Sequence, residues 1–260
     1  PFYKIVMDKN LGMDKLDYLE RDVYHTGFGQ SPDVKSVFDY LNFIKGELVI
    51  DKKSLEAAKQ MQRLYVYMYK EFYLHKSSQI SQRFLEKMIA IWMKLDKIDP
   101  AKLWLMNDIE LLAHIYKHED PILQFLYQSY KNRDLPKTGL VIRLKNRQFK
   151  ERIGGKKIKV IGEDKKFFDD FSKHSSFEKL EKTEGLISQA LGIEDYKIVV
   201  VPMFSPRRFV PKDILYHDDG KIFSLKETNP KYFEDMRSEA DDYVAVRVCI
   251  IGDRGLLYKH

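Results

Sequence analysis

Gly12-Met13-Asp14-Lys15-Leu16-Asp17-Tyr18-Leu19-Glu20-Arg21-Asp22-Val23-Tyr24-His25-Thr26-Gly27 is the most informative stretch of this 260-residue chain. Over 13–25 its polar and apolar residues recur at helical spacing. Residues four apart on a helix share a face, so Asp14, Tyr18 and Asp22 form one stripe, with Lys15 and His25 close beside it. The stripe offers a hard oxygen ligand, a cation, a phenol and a second carboxylate. A divalent metal takes the carboxylate. A phosphate takes the lysine, and a ribose hydroxyl takes a carboxylate acceptor. Asp17 and Arg21 lie on the flank of the stripe as an i,i+4 pair that most simply stabilises the helix. On spacing alone, an exposed, salt-bridged helix is the stronger reading of the segment.

The pattern continues outward from this helix. Residues 54–75 carry Leu55, Ala58, Met61, Leu64, Tyr65, Met68, Phe72 and His75 at three- and four-residue steps, which predicts one helix. Residues 78–95 repeat the pattern, Asp99-Pro100-Ala101 is a helix-start signal, and helices follow over 107–117 and 121–131. The character changes near Asn132-Arg133-Asp134-Leu135-Pro136. Short β-like runs then appear at 140–142, 158–161, 198–201, 222–225 and 243–248, with helices near 166–172, 176–191 and 230–239. The expected class is α+β: a mainly helical part, 1–131, followed by a mixed α/β lobe, 132–260.

Composition narrows the setting. The chain is 44% hydrophobic and 32% charged, which is an ordered globular balance with enough apolar residues for a sizeable core. No apolar run approaches membrane-spanning length, and Pro1-Phe2-Tyr3-Lys4-Ile5-Val6 lacks the features of a signal peptide. Cys249, the one cysteine, lies in an apolar run and reads as a buried thiol, so a cytoplasmic setting is expected. The formal charge of +6 suits a polyanionic ligand as well as it suits a solvated lysine-rich surface.

Asp14-Lys15-Leu16-Asp17-Tyr18, followed by Arg21-Asp22 and Gly27, resembles the D-[KR]-x-D-Y-x-x-R-D-x-x-x-x-G signature of the dGTPase-like branch of the HD superfamily of phosphohydrolases. Phe72-Tyr73-Leu74-His75 resembles the family helix that ends in an active-site histidine, and Asn107-Asp108-Ile109-Glu110 the start of its next helix. The resemblance implies that residues 1–131 are the helical part of an HD-type phosphohydrolase domain. It implies a metal-dependent hydrolysis of nucleotides or other phosphate esters. Asp14 would be the last ligand of a divalent ion, whether Mg, Mn, Fe or Zn. Lys15 would contact phosphate, Tyr18 and Asp22 would lie against the sugar, His25 would border the substrate, and His75 would be an acid near the phosphates. A homo-oligomer and nucleic acid are the further partners expected. The rival expectation is a non-catalytic module that binds nucleotide or nucleic acid.

The chain departs from the family pattern in three places. The family's other metal ligands, a His and then a His-Asp pair, precede the signature by many residues, so an upstream segment is expected to supply them. His217-Asp218, the one His-Asp dipeptide here, reads as a turn and a decoy. An arginine expected four residues before His75 is Glu71, and Tyr67, Glu71, Leu74 and Ser78 are expected to share a helical face without a cation. This favours a substrate with fewer phosphates. An aspartate often found two residues before Asp14 is Gly12. Ser205-Pro206-Arg207-Arg208 reads as a basic turn, and Gly154-Gly155-Lys156-Lys157 as a hairpin turn rather than a P-loop.

Overall fold

The structure is a computed structural model that describes residues 2–8, 11–31, 33–147, 152–153, 156–173, 175–203 and 212–252. Helices α1 (Phe2–Met7), α2 (Met13–Thr26) and α3 (Val34–Asp39) lead to strands β1 (Leu41–Ile44) and β2 (Glu47–Asp51), then helix α4 (Leu55–Met68). A π-helical turn, Tyr69–Tyr73, ends α4 before α5 (Lys76–Leu95), α6 (Asp108–Lys117) and α7 (Pro121–Lys131). Strands β3 (Lys137–Leu144), β4 (Arg152–Ile153), β5 (Lys156–Lys157) and β6 (Lys159–Glu163) follow, then α8 (Lys165–Lys173), α9 (Phe177–Leu191) and β7 (Ile198–Met203). Strands β8 (Leu215–Asp218) and β9 (Lys221–Ser224), helices α10 (Leu225–Thr228) and α11 (Pro230–Asp241), and strand β10 (Ala245–Ile250) complete the described chain. The class is α+β, with a helix-rich first half and the larger share of the strands in the second.

The chain forms two compact units that do not divide at 131/132. One comprises Pro1–His75 with Ser205–Val244, the other Lys76–Phe204 with Ala245–His260. Strand pairing is the physical reason. In the first unit β8 pairs parallel to β2, with Tyr216 opposite Ile50, so a segment from the second half completes the sheet β1-β2-β8-β9. The first half is therefore not all-helical. Its β1–β2 hairpin turns at Lys45 and Gly46, whose φ values of 51° and 83° are the left-handed pair that a two-residue hairpin needs. The core of this unit packs Leu16, Leu19 and Val23 of α2 against Ala58, Met61, Leu64 and Tyr65 of α4 and Phe233 and Met236 of α11.

In the second unit the sheet order is β6-β3-β10-β7. Strand β10 lies antiparallel between β3 and β7, and all six of its residues are buried. A central strand covered on both faces calls for an apolar run, and 245–250 provides one interrupted only by Arg247, which is buried and donates from Nε to Met203 Sδ at 3.3 Å. Helix α5 buries Ile80, Phe84, Met88 and Trp92, at steps of four, in the same core as Leu123 and Leu126 of α7. Cys249 is buried there, as its apolar surroundings in the sequence suggest.

Other local expectations are corrected. Residues 54–75 are not one helix, because the α-helix gives way to the π turn at Tyr69 and ends before Leu74. Ser78 lies in α5, beyond that break, so Tyr67, Glu71, Leu74 and Ser78 do not share a helical face. Asp99-Pro100-Ala101 opens a 3-10 helix, Pro100–Leu105, capped by the Asp99 side chain on the Ala101 amide. His217-Asp218 ends strand β8, and the turn is the following pair, Asp219-Gly220. Strands β4 and β5 pair antiparallel on either side of Gly154-Gly155, which themselves lie outside the described residues, as does Ser205-Pro206-Arg207-Arg208.

Candidate functional site

Helix α2 begins immediately after Gly12, and the beginning is fixed by backbone contact. A Cβ on Gly12 would stand 2.6 Å from the carbonyl oxygens of both Val6 and Asp8. The glycine carbonyl accepts from the amides of Lys15 and Leu16, which starts the helix with no side-chain cap. Any side chain at this position, an aspartate included, would force the backbone of Val6–Asp8 or the start of α2 to shift, and glycine at 12 avoids that. The helix ends at Gly27, which takes the left-handed conformation at φ 69°.

Leu16, Leu19 and Val23 anchor α2 in the core, and this turns the next face toward the rim of the first unit. Asp14 is exposed, while Lys15, Tyr18 and Asp22 are half-buried. Asp17 and Arg21 lie on the exposed flank, with Arg21 Nη2 3.0 Å from Asp17 Oδ2. The helix phase expected from spacing is the observed one.

A row of tyrosines faces this stripe. Tyr65, Tyr69 and Tyr73 succeed one another at steps of four, with ring centroids 4.6 Å and 5.1 Å apart. The ammonium of Lys15 stands 4.1 Å from the Tyr65 ring centroid, a cation–π contact. The Tyr73 hydroxyl donates to Asp22 Oδ2. Burial drives the Tyr18 phenol above its ordinary pKa, and Tyr69, Asp14 and Asp22 push in the same direction. Tyr65 is raised by burial and by its hydrogen bond with Tyr69. Tyr73 is raised by burial and by the Asp22 carboxylate. All three phenols therefore keep their protons at neutral pH and act as O–H donors. Tyr65 and Tyr73 were assigned no task of their own from the sequence; the four-residue spacing of Tyr65, Tyr69 and Tyr73 is the signal that could have grouped them.

The remaining expected residues lie elsewhere in the same unit. His25 is exposed in the last turn of α2, its ring edge-on to Tyr24 at 5.2 Å. His75 is exposed, two residues after Tyr73, and its amide donates to the Phe72 carbonyl. Glu71 is half-buried within the π turn. The extra residue of such a turn rotates the residues after it by roughly 100° relative to a continuous α-helix. Lys70, beside it, reaches toward the Tyr243 ring, 5.9 Å from its centroid.

These residues do not by themselves make a metal centre. Asp14 Oδ1 accepts from the Lys15 amide, and Asp22 lies two turns on, about 12 Å along the helix axis. Among the described residues no three His, Cys, Asp or Glu side chains converge as a metal would require.

A family model described as HD associated region matches residues 33–232. The match begins after α2, so the signature helix lies just ahead of it. An uncharacterised protein of Methanocaldococcus jannaschii is 25% identical over 134 residues, which is 49% of this chain and 30% of that protein. A phosphohydrolase from Bacteroides thetaiotaomicron of known crystal structure superposes with a TM-score of 0.63 at 20% identity, covering 96% of this chain and 63% of that one. A hypothetical protein from Aquifex aeolicus gives 0.61 at 18% identity, covering 98% and 57%. At these identities the likeness establishes the fold, and the chain spans less than two thirds of each of these proteins.

Proposed function

Because the chain belongs to the family of HD associated regions, we propose that it is part of an HD phosphohydrolase and forms one wall of that enzyme's nucleotide site. The observation that carries this reading is the α2 stripe itself, with Lys15, Tyr18 and Asp22 half-buried on one face and opposed by proton-bearing tyrosines. The structural likeness to a phosphohydrolase supports it. So does the family description, since a region associated with an HD domain has such a domain beside it.

Each residue has a task on this reading. Lys15, held over the Tyr65 ring, offsets charge on phosphate oxygens. Asp22 accepts a hydrogen bond from a sugar hydroxyl, and Tyr73 holds that carboxylate in place with its own hydroxyl. Tyr18, protonated and half-buried, packs on the sugar and donates. His25 borders the substrate at the end of α2, and His75 is the acid near the leaving group. Asp14 contributes one carboxylate to a divalent ion; a His and a His-Asp pair from outside these 260 residues would complete its coordination.

The test separates binding from hydrolysis. Titration of this chain with deoxynucleotides, followed by calorimetry, should show binding that Lys15→Ala weakens at least tenfold and that Asp17→Ala leaves unchanged. Hydrolysis is read on the polypeptide that includes the HD ligands, with Mg²⁺ or Mn²⁺, over mono- and triphosphates. Phosphate release names an ester substrate; release of intact triphosphate returns the protein to the dGTPase-like activity. Nucleotide affinity that ignores Lys15 would overturn the proposed wall.

A further inference from the structure

The most exposed large apolar side chains among the described residues are not scattered. Trp104 is 91% exposed and Leu105 85%, and Ile109, four residues on, is 80%. Trp104-Leu105 closes the 3-10 helix that leads into α6. Leu103 and Met106, on either side, pack on the core of the second unit, so this pair is what turns outward. Helix α6 is held by one fully buried residue, Ile115, with Leu111 and Leu112 partly buried against the same core. Ile109, Ala113 and Tyr116 recur at steps of four and three and share a second face. Tyr116 is exposed there, braced by the Tyr127 ring at 5.4 Å and by Lys131 Nζ at 5.8 Å from its own ring centroid.

The charges around this face are complementary to themselves. Helix α6 carries Asp108 and Glu110 in its first turn and His114 and Lys117 in its last. Glu110 and Lys117 are seven residues apart, so they lie along one edge of the apolar face. A second copy laid antiparallel across the face sets each copy's Lys117 against the other's Glu110, twice by symmetry, and opposes the two helix dipoles. A parallel copy would set like charges together. Ala113, near the middle of the face, is small enough for the helix axes to approach to roughly 8–10 Å. The Trp104-Leu105 end of each copy then meets the Tyr116 end of the other. A tryptophan offers on the order of 200 Å². Trp104, Leu105, Ile109 and Tyr116 together thus reach the roughly 300–600 Å² that is the largest apolar patch of a typical monomer. With a charged rim, such a centre suits one partner's share, about 800 Å², of a standard interface.

We infer that the face formed by Trp104, Leu105, Ile109, Ala113 and Tyr116 pairs two copies of this chain about a two-fold axis, α6 antiparallel to α6. The inference is independent of the α2 site and stands or falls without it.

Sedimentation velocity of the 260-residue chain, over roughly 1–100 µM, is the experiment. Wild type should shift from one copy to two as concentration rises. Trp104→Ala and Ile109→Glu should each weaken the dimer at least tenfold, with circular dichroism unchanged. The control Leu186→Glu places the same charge at an exposed apolar residue of α9, in the same unit, and should pair as wild type. Glu110→Lys and Lys117→Glu should each weaken their own homodimer about tenfold. Mixed one to one, these two variants should pair again, because every contact across the two-fold then joins unlike charges. A mere loss of helix stability would not be rescued by mixing. The proposal is overturned if the chain stays monomeric over the whole range, the result expected if a neighbouring domain or a different protein covers the face. It is equally overturned if the dimer ignores Ile109→Glu, if Leu186→Glu loses as much, or if the mixed charge variants fail to pair.

Discussion

Gly12 shows how much one missing carbon can decide. Its neighbours at 2.6 Å are backbone atoms of Val6 and Asp8, which cannot rotate away. Gly12→Ala should therefore force the start of α2 to move and cost about 2 kcal/mol. Urea denaturation reads this as a lower midpoint at constant m-value, and an unchanged midpoint would show that the α1–α2 connection is soft. Tyr73→Phe is the complementary test, because it keeps the ring against Tyr69 and removes only the donor to Asp22. A hydrogen bond to a charged, half-buried acceptor contributes about 1–2 kcal/mol, and that loss is expected in the same assay. At this scale the sequence was informative wherever the chemistry is local. Asp14, Lys15, Tyr18 and Asp22 share a face because 3.6 residues make a turn, and the pairing of Asp17 with Arg21 follows from the same count. It was uninformative about Gly12, because the reason for a glycine lies in which backbone approaches it.

Elements were legible in proportion to their length and their punctuation. Helices α2, α5, α7 and α9 emerge within a few residues of their expected bounds because each has an apolar stripe; Asp120 caps the start of α7, and left-handed Gly27 and Gly192 end α2 and α9. Helix α6 is the sharpest case: the Asn107 side chain accepts from the Glu110 amide while the Glu110 carboxylate accepts from the Asn107 amide. Asn107→Ala should cost about 1 kcal/mol by loss of the cap, measurable as a fall in thermal midpoint, with no change in nucleotide affinity. The β1–β2 hairpin escaped notice because its strands are four and five residues long and its turn is marked by a single glycine, Gly46. The break in the long 54–75 pattern escaped for a different reason. A π turn preserves apolar residues at nearly helical steps while shifting their phase, so Tyr69 to Tyr73 read as a continuation when they are an interruption.

At the scale of the whole molecule, local pattern says little, since a strand does not name its partner. The pairing of β2 with β8 joins Ile50 to Tyr216, and β10 inserts between β3 and β7 after a long excursion of the chain. The split into discontinuous units follows from those pairings and could not be read from a change in composition at 131. The second unit is fastened by a buried ionic cluster that spacing did not reveal either. Glu184 of α9 is 1% exposed and accepts from Arg83 Nη2 at 3.2 Å, Lys87 Nζ at 2.9 Å and the Val200 amide at 2.9 Å. It balances two cations on α5. Burial pulls the Lys87 pKa below the ordinary lysine range, while the Glu184 charge pushes against that fall. Glu184→Gln removes the buried counter-charge shared by both cations, leaving Arg83 only Glu86 at 3.8 Å, and should cost about 3–5 kcal/mol. Replacing Arg83, Lys87 and Glu184 together by methionine removes the charges along with their desolvation and should cost much less. The pH dependence is the sharper test. With Glu184 neutralised, the folded-state pKa of Lys87 falls further below its unfolded value of about 10.4. The unfolded chain then binds more protons than the folded one, so stability must rise with pH. The penalty is present in full below the folded pKa and is relieved as pH climbs through it toward the unfolded value. Urea midpoints of Glu184→Gln, measured from neutral pH upward, should climb relative to wild type; parallel curves would mean that Lys87 finds another partner when Glu184 is gone.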